Sequence, residues 1–204
     1  GLDNEGTILS KNFLTTTAKA LNNSGILQTE QGTTITAESL ENTGTLIGSI
    51  LAGSATTLNL DTLTNSAAGT IQSGGDLNLN LKASADNSGD ILAAADLKIG
   101  ASDASTTLNL SNQTDAVIQA GGLLKINNSS NADNVTLDTQ AGTLLAEQID
   151  LKLSSLNNAG TLQSNQDMSL AIRNSLSNSG TLLAKTTLDT TAQTVINSGI
   201  LQAT

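Results

Sequence analysis

The chain of 204 residues carries 8 Lys and Arg against 18 Asp and Glu, a net charge of −10 at pH 7. Such an acidic chain is a poor ligand for nucleic acid or for an anionic membrane, because both are bound through basic patches. One Phe is present, but no Trp, Tyr, His, Cys or Pro. Disulfides, Cys/His metal sites and a Ser-His-Asp catalytic triad are therefore excluded, and the interior is predicted to be thin and aliphatic.

A glycine-centred motif recurs along the whole chain, beginning with LDNEGTIL and ending with VINSGIL. Ten copies align when each is anchored on its glycine, with alanine replacing glycine once. Most anchors are 18–20 residues apart, and three intervals lengthen to 25, 27 and 26 residues. The anchors are Gly6, Gly25, Gly44, Gly69, Gly89, Ala116, Gly142, Gly160, Gly180 and Gly199.

An alternating pattern after each anchor predicts a short strand. The residue two positions later is always Leu or Ile, and the residue four positions later is always small. Because residues two apart share one face of a strand, both sets are expected to point inward. The large residues are Ile8, Leu27, Leu46, Ile71, Ile91, Ile118, Leu144, Leu162, Leu182 and Leu201. The small residues are Ser10, Thr29, Gly48, Ser73, Ala93, Ala120, Ala146, Ser164, Ala184 and Ala203.

Two further short strands are predicted in each unit. Alternating apolar pairs follow at Leu77/Leu79, Leu97/Ile99, Leu124/Ile126, Ile149/Leu151 and Met168/Leu170. An apolar residue precedes seven anchors, at Leu2, Leu21, Leu40, Leu63, Leu156, Leu176 and Val195. Strands this short cannot bury a face alone, so the units must stack in register. The prediction is an all-β parallel β-solenoid, a single segment over residues 1–204 with about ten coils of 19–20 residues, three short strands per coil and a length of about 48 Å.

Asparagine accompanies the anchors and predicts a structural turn ladder. It lies two residues before seven of them, as Asn4, Asn23, Asn42, Asn87, Asn158, Asn178 and Asn197. Asn amides in stacked turns can bond to one another along the axis, and the anchor glycines are expected to supply positive φ. The alternative is a ligand site within the ladder.

Insertions near 49–57, 100–107 and 127–134 account for the three long units. The last two fall after the second strand of adjacent units, so they are expected to form one protrusion. Loops on a rigid scaffold often carry binding function, and the alternative is a tolerated surface bulge. The candidate partner-binding residues of this protrusion are Ser102, Asp103, Asn127, Asn128, Asn131 and Asp133.

Three residues after each anchor, aliphatic residues and Gln alternate through all ten units. This position lies between two inward ones and should face outward. Duplication of a two-unit module explains the alternation without function, whereas a striped face that packs on another chain would give it one. The series is Leu9, Gln28, Ile47, Gln72, Leu92, Gln119, Leu145, Gln163, Leu183 and Gln202.

Asp76 and Asp96 occupy equivalent positions in adjacent units, and Asp167 recurs later. Stacked carboxylates can hold a hard cation, although an Asp in this position is more often a turn residue. The calcium-solenoid signature G-G-x-G-x-D is absent, since GGDLNLN does not match it. We therefore expect no metal and no cofactor.

The pattern L-x-N-S-G-x-L-x-A, followed by L-x-L and another L-x-N-S-G, resembles the haemagglutinin repeats of filamentous haemagglutinin-like exoproteins. These include two-partner-secreted adhesins and the stalks of contact-dependent growth inhibition toxins. The resemblance covers Leu2 to Ala203 and implies a right-handed β-helix, export through an outer-membrane transporter partner, and a place on or outside a Gram-negative cell. It supplies no catalytic residues. No secretion domain or toxin module is recognisable, so we expect the chain to be a segment of something longer.

These observations predict a rigid stalk that serves adhesion or presents a distal receptor-binding or toxin region. The stalk of a growth-inhibition effector is the alternative to a host adhesin, with the receptor on a host or bacterial surface met through other regions or loops. An enzyme is not expected, because the eight basic residues are scattered, which also disfavours a carbohydrate-active β-helix. An ice-binding solenoid needs regular outward Thr rows, and Thr follows only six anchors. Open strand edges at Gly1 and Thr204 predict end-to-end self-association.

Overall fold

The computed structural model describes residues 1–101, 107–127 and 134–204, and the strands within these ranges form two parallel sheets. One sheet consists of ten short strands: β2 (Thr7–Ser10), β4 (Ile26–Thr29), β6 (Thr45–Ser49), β8 (Thr70–Ser73), β10 (Asp90–Ala93), β13 (Val117–Ala120), β16 (Thr143–Ala146), β18 (Thr161–Ser164), β20 (Thr181–Ala184) and β23 (Ile200–Ala203). No helix in the described ranges is long and apolar enough to cross a membrane.

The other sheet has thirteen strands and forms the remaining wall of the coil. They are β1 (Leu2–Asn4), β3 (Phe13–Asn23), β5 (Gly32–Asn42), β7 (Thr56–Asn65), β9 (Leu77–Asn87), β11 (Leu97–Ala101), β12 (Leu108–Asn112), β14 (Leu123–Ile126), β15 (Val135–Asp138), β17 (Gln148–Asn158), β19 (Met168–Asn178), β21 (Leu188–Thr191) and β22 (Thr194–Asn197). The chain alternates between the sheets, so each short strand pairs with the short strand of the next coil. The architecture is the predicted all-β solenoid of about ten coils.

The short strands stack in the register that the repeat predicts. Every pairing in this sheet is parallel, and the ten large inward residues, from Ile8 to Leu201, form one continuous column of Cα partners. The eight inner members of the column are buried, Ile8 at one end is half-buried, and Leu201 at the other end is 38% exposed. Stacking thus buries a strand face that a four-residue strand could not bury alone.

The predicted second and third strands join into one strand in six coils. There β3, β5, β7, β9, β17 and β19 run for 10 or 11 residues without a break. The bend is absorbed by irregular pairing, as between Leu60 and Thr62 and between Leu153 and Ser155, because a bulge turns a strand without ending it. Most coils therefore contain two strands rather than three, and separate second and third strands occur as β11/β12, β14/β15 and β21/β22.

The core is one aliphatic cluster that runs along the axis. Leu, Ile, Val, Ala and a single Met form it, and the one aromatic residue, Phe13, is 70% exposed. The column before the anchors contains Ala85, Leu110 and Leu137 as well as the predicted members. A narrow coil leaves room for aliphatic layers but not for rings, which is why the composition lacks aromatics.

The small inward column passes through Ser49 in the third coil, where the sequence pattern predicted Gly48. An irregularity after Ile47 shifts the register, so Ser49 pairs with Ser73. Gly48 is buried beside it, and its carbonyl accepts a 2.6 Å hydrogen bond from Thr29 Oγ1. A Cβ on Gly48 would collide with the side chain of Thr56, so the position cannot take a larger residue without movement.

Candidate functional site

A ladder of asparagine amides runs through the stacked turns. In the first coils, Asn4 Nδ2 donates to Asn23 Oδ1 at 2.7 Å, and Asn23 Nδ2 donates to Asn42 Oδ1 at 2.8 Å. In the last coils, Asn158 Nδ2 donates to Asn178 Oδ1 at 2.6 Å, and Asn178 Nδ2 donates to Asn197 Oδ1 at 2.7 Å. Each Nδ2 also donates to a turn carbonyl, as from Asn4 to Ile26 O at 3.0 Å. All but the last of these asparagines are buried, and the Nδ2 groups donate to the next amide and to turn carbonyls.

The ladder includes residues that the sequence pattern missed. Asn65 and Asn112 lie four residues before their anchors rather than two, and they join the ladder through Asn87 at 2.8 and 2.7 Å. In the next coil Thr139 takes the place of asparagine and donates to Asn158 Oδ1 at 2.5 Å. The sequence signal for these two positions is an Asn at the start of a longer turn, as in NSAAG and NQTDA.

The anchor glycines are required for close approach between coils and not for positive φ. Among the described glycines only Gly53 has a positive φ, of 82°, so the sequence-based reason is wrong. A Cβ on Gly160 would collide with the carbonyl of Gly142 in the coil before, and one on Gly180 would collide with that of Gly160. Gly6, in the first coil, has nothing within 4 Å of its Cβ position. The glycine column therefore allows the turns to stack at the spacing that the strands impose.

The two insertions predicted to form a protrusion begin and end at equivalent places in neighbouring coils. Strand β11 pairs with β14 before the insertions, and β12 pairs with β15 after them. Asn127, a candidate residue, is partly buried at the end of β14 and donates its N–H to Ile99 O at 3.0 Å. The other candidates, Ser102, Asp103, Asn128, Asn131 and Asp133, lie outside the described residues. The insertion near 49–57 leaves the coil elsewhere, between β6 and β7.

A shallow depression of about 400 Å³ lies where β11 and β14 end, next to the start of the two insertions. Lys98 and Lys125 are Cα partners on its wall, and the Lys125 ammonium lies 3.5 Å from Asp150. Gly100 also lines the depression, and a Cβ on Gly100 would lie 2.6 Å from Asn127 O. Lys98 is exposed on this wall, whereas the charge of Lys125 is offset by Asp150, so the wall offers ammonium hydrogen-bond donors to a polar ligand.

The stacked carboxylates bind the backbone of the next coil. Asp76 Oδ1 accepts the N–H of Asp96 at 3.2 Å, and Asp96 Oδ1 accepts the N–H of Leu123 at 2.9 Å. The Asp167 carbonyl accepts the N–H of Ile149 at 3.1 Å. In the described ranges no three acidic, His or Cys side chains come together as a metal site would need. The side chains of Asp76 and Asp96 thus link neighbouring coils through the backbone.

The ionisable groups elsewhere are dispersed on the surface. Lys82 lies 2.6 Å from Asp61, and the hydrogen bond and charge of Asp61 raise the pKa of Lys82 above its ordinary value of 10.5. Both side chains are exposed, which makes this pair weak.

The outer side of the ten-strand sheet, which we call the short-strand face, carries two columns of outward residues. The column three residues after the anchors alternates aliphatic and Gln side chains in register, and the column one residue after them begins with Thr7 and Ile26. Asp90 and Val117 interrupt the Thr residues of that second column. Regular T-x-T rows are therefore not present on this face.

Comparison with known families gives a match along most of the chain. A family model described as the haemagglutinin repeat matches residues 10–55, 51–117, 107–152 and 146–204. Neither the curated proteins nor the solved structures contain a match. Successive matches overlap, and each spans two or three of the coils defined by the anchors.

Proposed function

The chain belongs to the haemagglutinin-repeat family, and on that premise we propose that it is a rigid, extended stalk of a secreted or cell-surface bacterial exoprotein. The observation that carries the proposal is the continuous parallel pairing of the short strands through ten coils. Each coil adds about 4.8 Å of length, so the repeat converts sequence length into reach. The proposal assigns the chain no catalytic role.

Stiffness follows from three sets of interactions that link neighbouring coils along the axis. The two sheets supply backbone hydrogen bonds between every pair of neighbouring coils. The aliphatic core supplies apolar burial between the same coils, and the amide ladder ties the turns together. Bending the rod would have to open all three on one side, and a repeat protein of this kind resists that through its nearest-neighbour contacts.

A distance measurement tests the stalk. The chain has no Cys, so spin labels can be placed on Thr7→Cys and Thr181→Cys, which lie eight coils apart. The labelled chain is diluted with unlabelled chain, so that only distances within one molecule are measured. We expect a narrow distance distribution near 38 Å. A second copy of residues 142–179, inserted after residue 179, adds two coils and should move the peak to about 48 Å. A broad distribution, or a peak that does not move, would contradict a rigid stalk; a Gly/Ser insertion of equal length is the control.

We propose that this segment contacts a surface receptor at the corner where the two paired insertions leave the coil. The support is the equivalent position of both insertions and the donor-rich wall formed by Lys98, Lys125 and Asn127. Removing 102–106 together with 128–133 should abolish binding of the purified chain to host or bacterial cells and leave the circular dichroism spectrum unchanged. Binding that survives in the folded variant refutes this placement.

The route to the surface is proposed to be an outer-membrane transporter of the two-partner type. Expression of the full exoprotein with and without that transporter, followed by fractionation, should show surface or medium localisation only when the transporter is present. The same stalk would serve a host adhesin or a growth-inhibition effector. Co-culture with susceptible bacteria separates them, because only the effector reduces the competitor's viable count.

A further inference from the structure

The short-strand face is almost free of charge in a strongly acidic molecule. The chain has 26 charged residues, and the ten strands of this sheet contain one of them, Asp90. No Lys or Arg occurs in these strands. Charged residues are mostly found on protein surfaces, and surface charge helps to keep protein molecules apart.

Aliphatic ribs cross this face at a regular spacing. Leu9, Ile47, Leu92, Leu145 and Leu183 occupy every second coil of one outward column, about 9.6 Å apart, with Gln between them. Ile26, Val117 and Ile200 add aliphatic surface in the other column. None of the outward residues in the two columns is fully buried. Eight of the 20 outward residues in the two columns are aliphatic and one is charged. Leu9, Ile26 and Ile200 are exposed, and the other five aliphatic residues are partly exposed. An extended face with recurring apolar residues and almost no charge is typical of an interaction surface.

The size of the face is sufficient for a specific interface. Ten strands at about 4.8 Å and four residues at about 3.3 Å give a face of about 48 by 13 Å, or about 600 Å². Two such faces bury about 1,200 Å² in total, the lower end of the range for stable protein–protein interfaces.

We propose that the short-strand face binds the same face of a second copy of this chain. A partner surface that contacts all the aliphatic ribs must itself be nearly uncharged and must carry aliphatic residues at the same spacing. The short-strand face of a second copy meets both conditions. Elsewhere two copies, each of net charge −10, repel each other. When the two copies lie antiparallel and are related by a two-fold axis, the fifth coil, which begins at Gly89, faces the sixth coil of the partner, which begins at Ala116. The aliphatic residues of one copy then lie between those of the other.

Sedimentation of charge variants provides the first test. The wild-type chain should sediment at twice the 20.6 kDa of one chain as its concentration rises through the micromolar range. Leu92→Lys with Leu145→Lys should give a folded monomer. Thr15→Lys with Ser169→Lys adds the same charge on the other sheet, at exposed positions, and should leave the dimer intact. A wild-type monomer at all concentrations, or a dimer that persists in Leu92→Lys/Leu145→Lys, overturns the proposal.

A single spin label separates this dimer from end-to-end association. A label on Gln119→Cys lies near the middle of the face, so two faces in contact place the labels within about 20 Å, given that packed sheets lie about 10 Å apart. End-to-end stacking places them about 40 Å or more apart, and that result would refute the face-to-face dimer.

Discussion

Replacing Asn158 by Ala tests the amide ladder where its geometry is tightest. Asn158 is fully buried, donates to Asn178 Oδ1 at 2.6 Å and accepts from Thr139 Oγ1 at 2.5 Å. The substitution leaves a buried Oδ1 on Asn178 and a buried hydroxyl on Thr139 without these partners. An unsatisfied buried group costs about 1–3 kcal/mol, so we expect the free energy of unfolding to fall by about 2–4 kcal/mol.

Asn157→Ala is the matched control, because the neighbouring side chain is exposed and makes only a 3.3 Å bond to Asp138. A surface change of this kind costs less than about 0.5 kcal/mol. Urea unfolding must be followed by far-UV circular dichroism, since the chain lacks Trp and Tyr. Because repeat proteins can unfold in parts, amide exchange at Gly160 and Thr181 should report the same loss locally. If the two variants unfold at the same urea concentration, the ladder does not stabilise the turns.

Three further substitutions follow from the structure. Gly180→Ala forces a Cβ against Gly160 O and should lower the free energy of unfolding by about 1–3 kcal/mol. Gly6→Ala is the control, because Gly6 has open space around its Cβ position. Equal thermal midpoints of the two variants would contradict the close approach of the glycines. Thr190 Oγ1 is buried without a hydrogen-bond partner, so Thr190→Val should raise the free energy of unfolding by about 0.5–1 kcal/mol. Thr191→Val, at an exposed position, is the control. A Thr190→Val variant less stable than this control would show that the hydroxyl makes a stabilising bond. Asp61 raises the pKa of Lys82 above 10.5, so the ion pair is present at neutral pH and is lost as the pH rises through the folded-state pKa. An NMR titration should show a lower pKa of Lys82 in Asp61→Asn. An unchanged pKa would exclude Asp61 as the cause.

The columns of the solenoid could be predicted because strand geometry maps sequence period directly onto faces. Leu27, Leu46 and Ile71 each follow a glycine by two residues, and that spacing alone places them on one inward face. The alternation of Leu92, Gln119 and Leu145 was visible for the same reason. One inserted residue shifts such a column, and Gly48 was placed in the inward position of Ser49 because the bulge after Ile47 leaves no signal in the pattern.

Positions defined by contacts between coils could not be predicted from spacing. Asn65 and Asn112 enter the ladder through longer turns, and only their bonds to Asn87 identify them. The merging of the second and third strands depends on whether a bulge or a loop forms the corner, a choice that pairing with the adjacent coils decides.

By itself the sequence determined the repeat, the parallel stacking, the aliphatic core and the outward stripe, because these depend on which residues alternate within a few positions. Only the tertiary structure decided why glycine anchors most turns after the first. Its φ is ordinary, and the constraint is the carbonyl of the preceding coil, 18 or more residues away in sequence. Local periodicity is encoded in neighbouring side chains, whereas steric exclusion and hydrogen-bond partners exist only once the coils lie against one another.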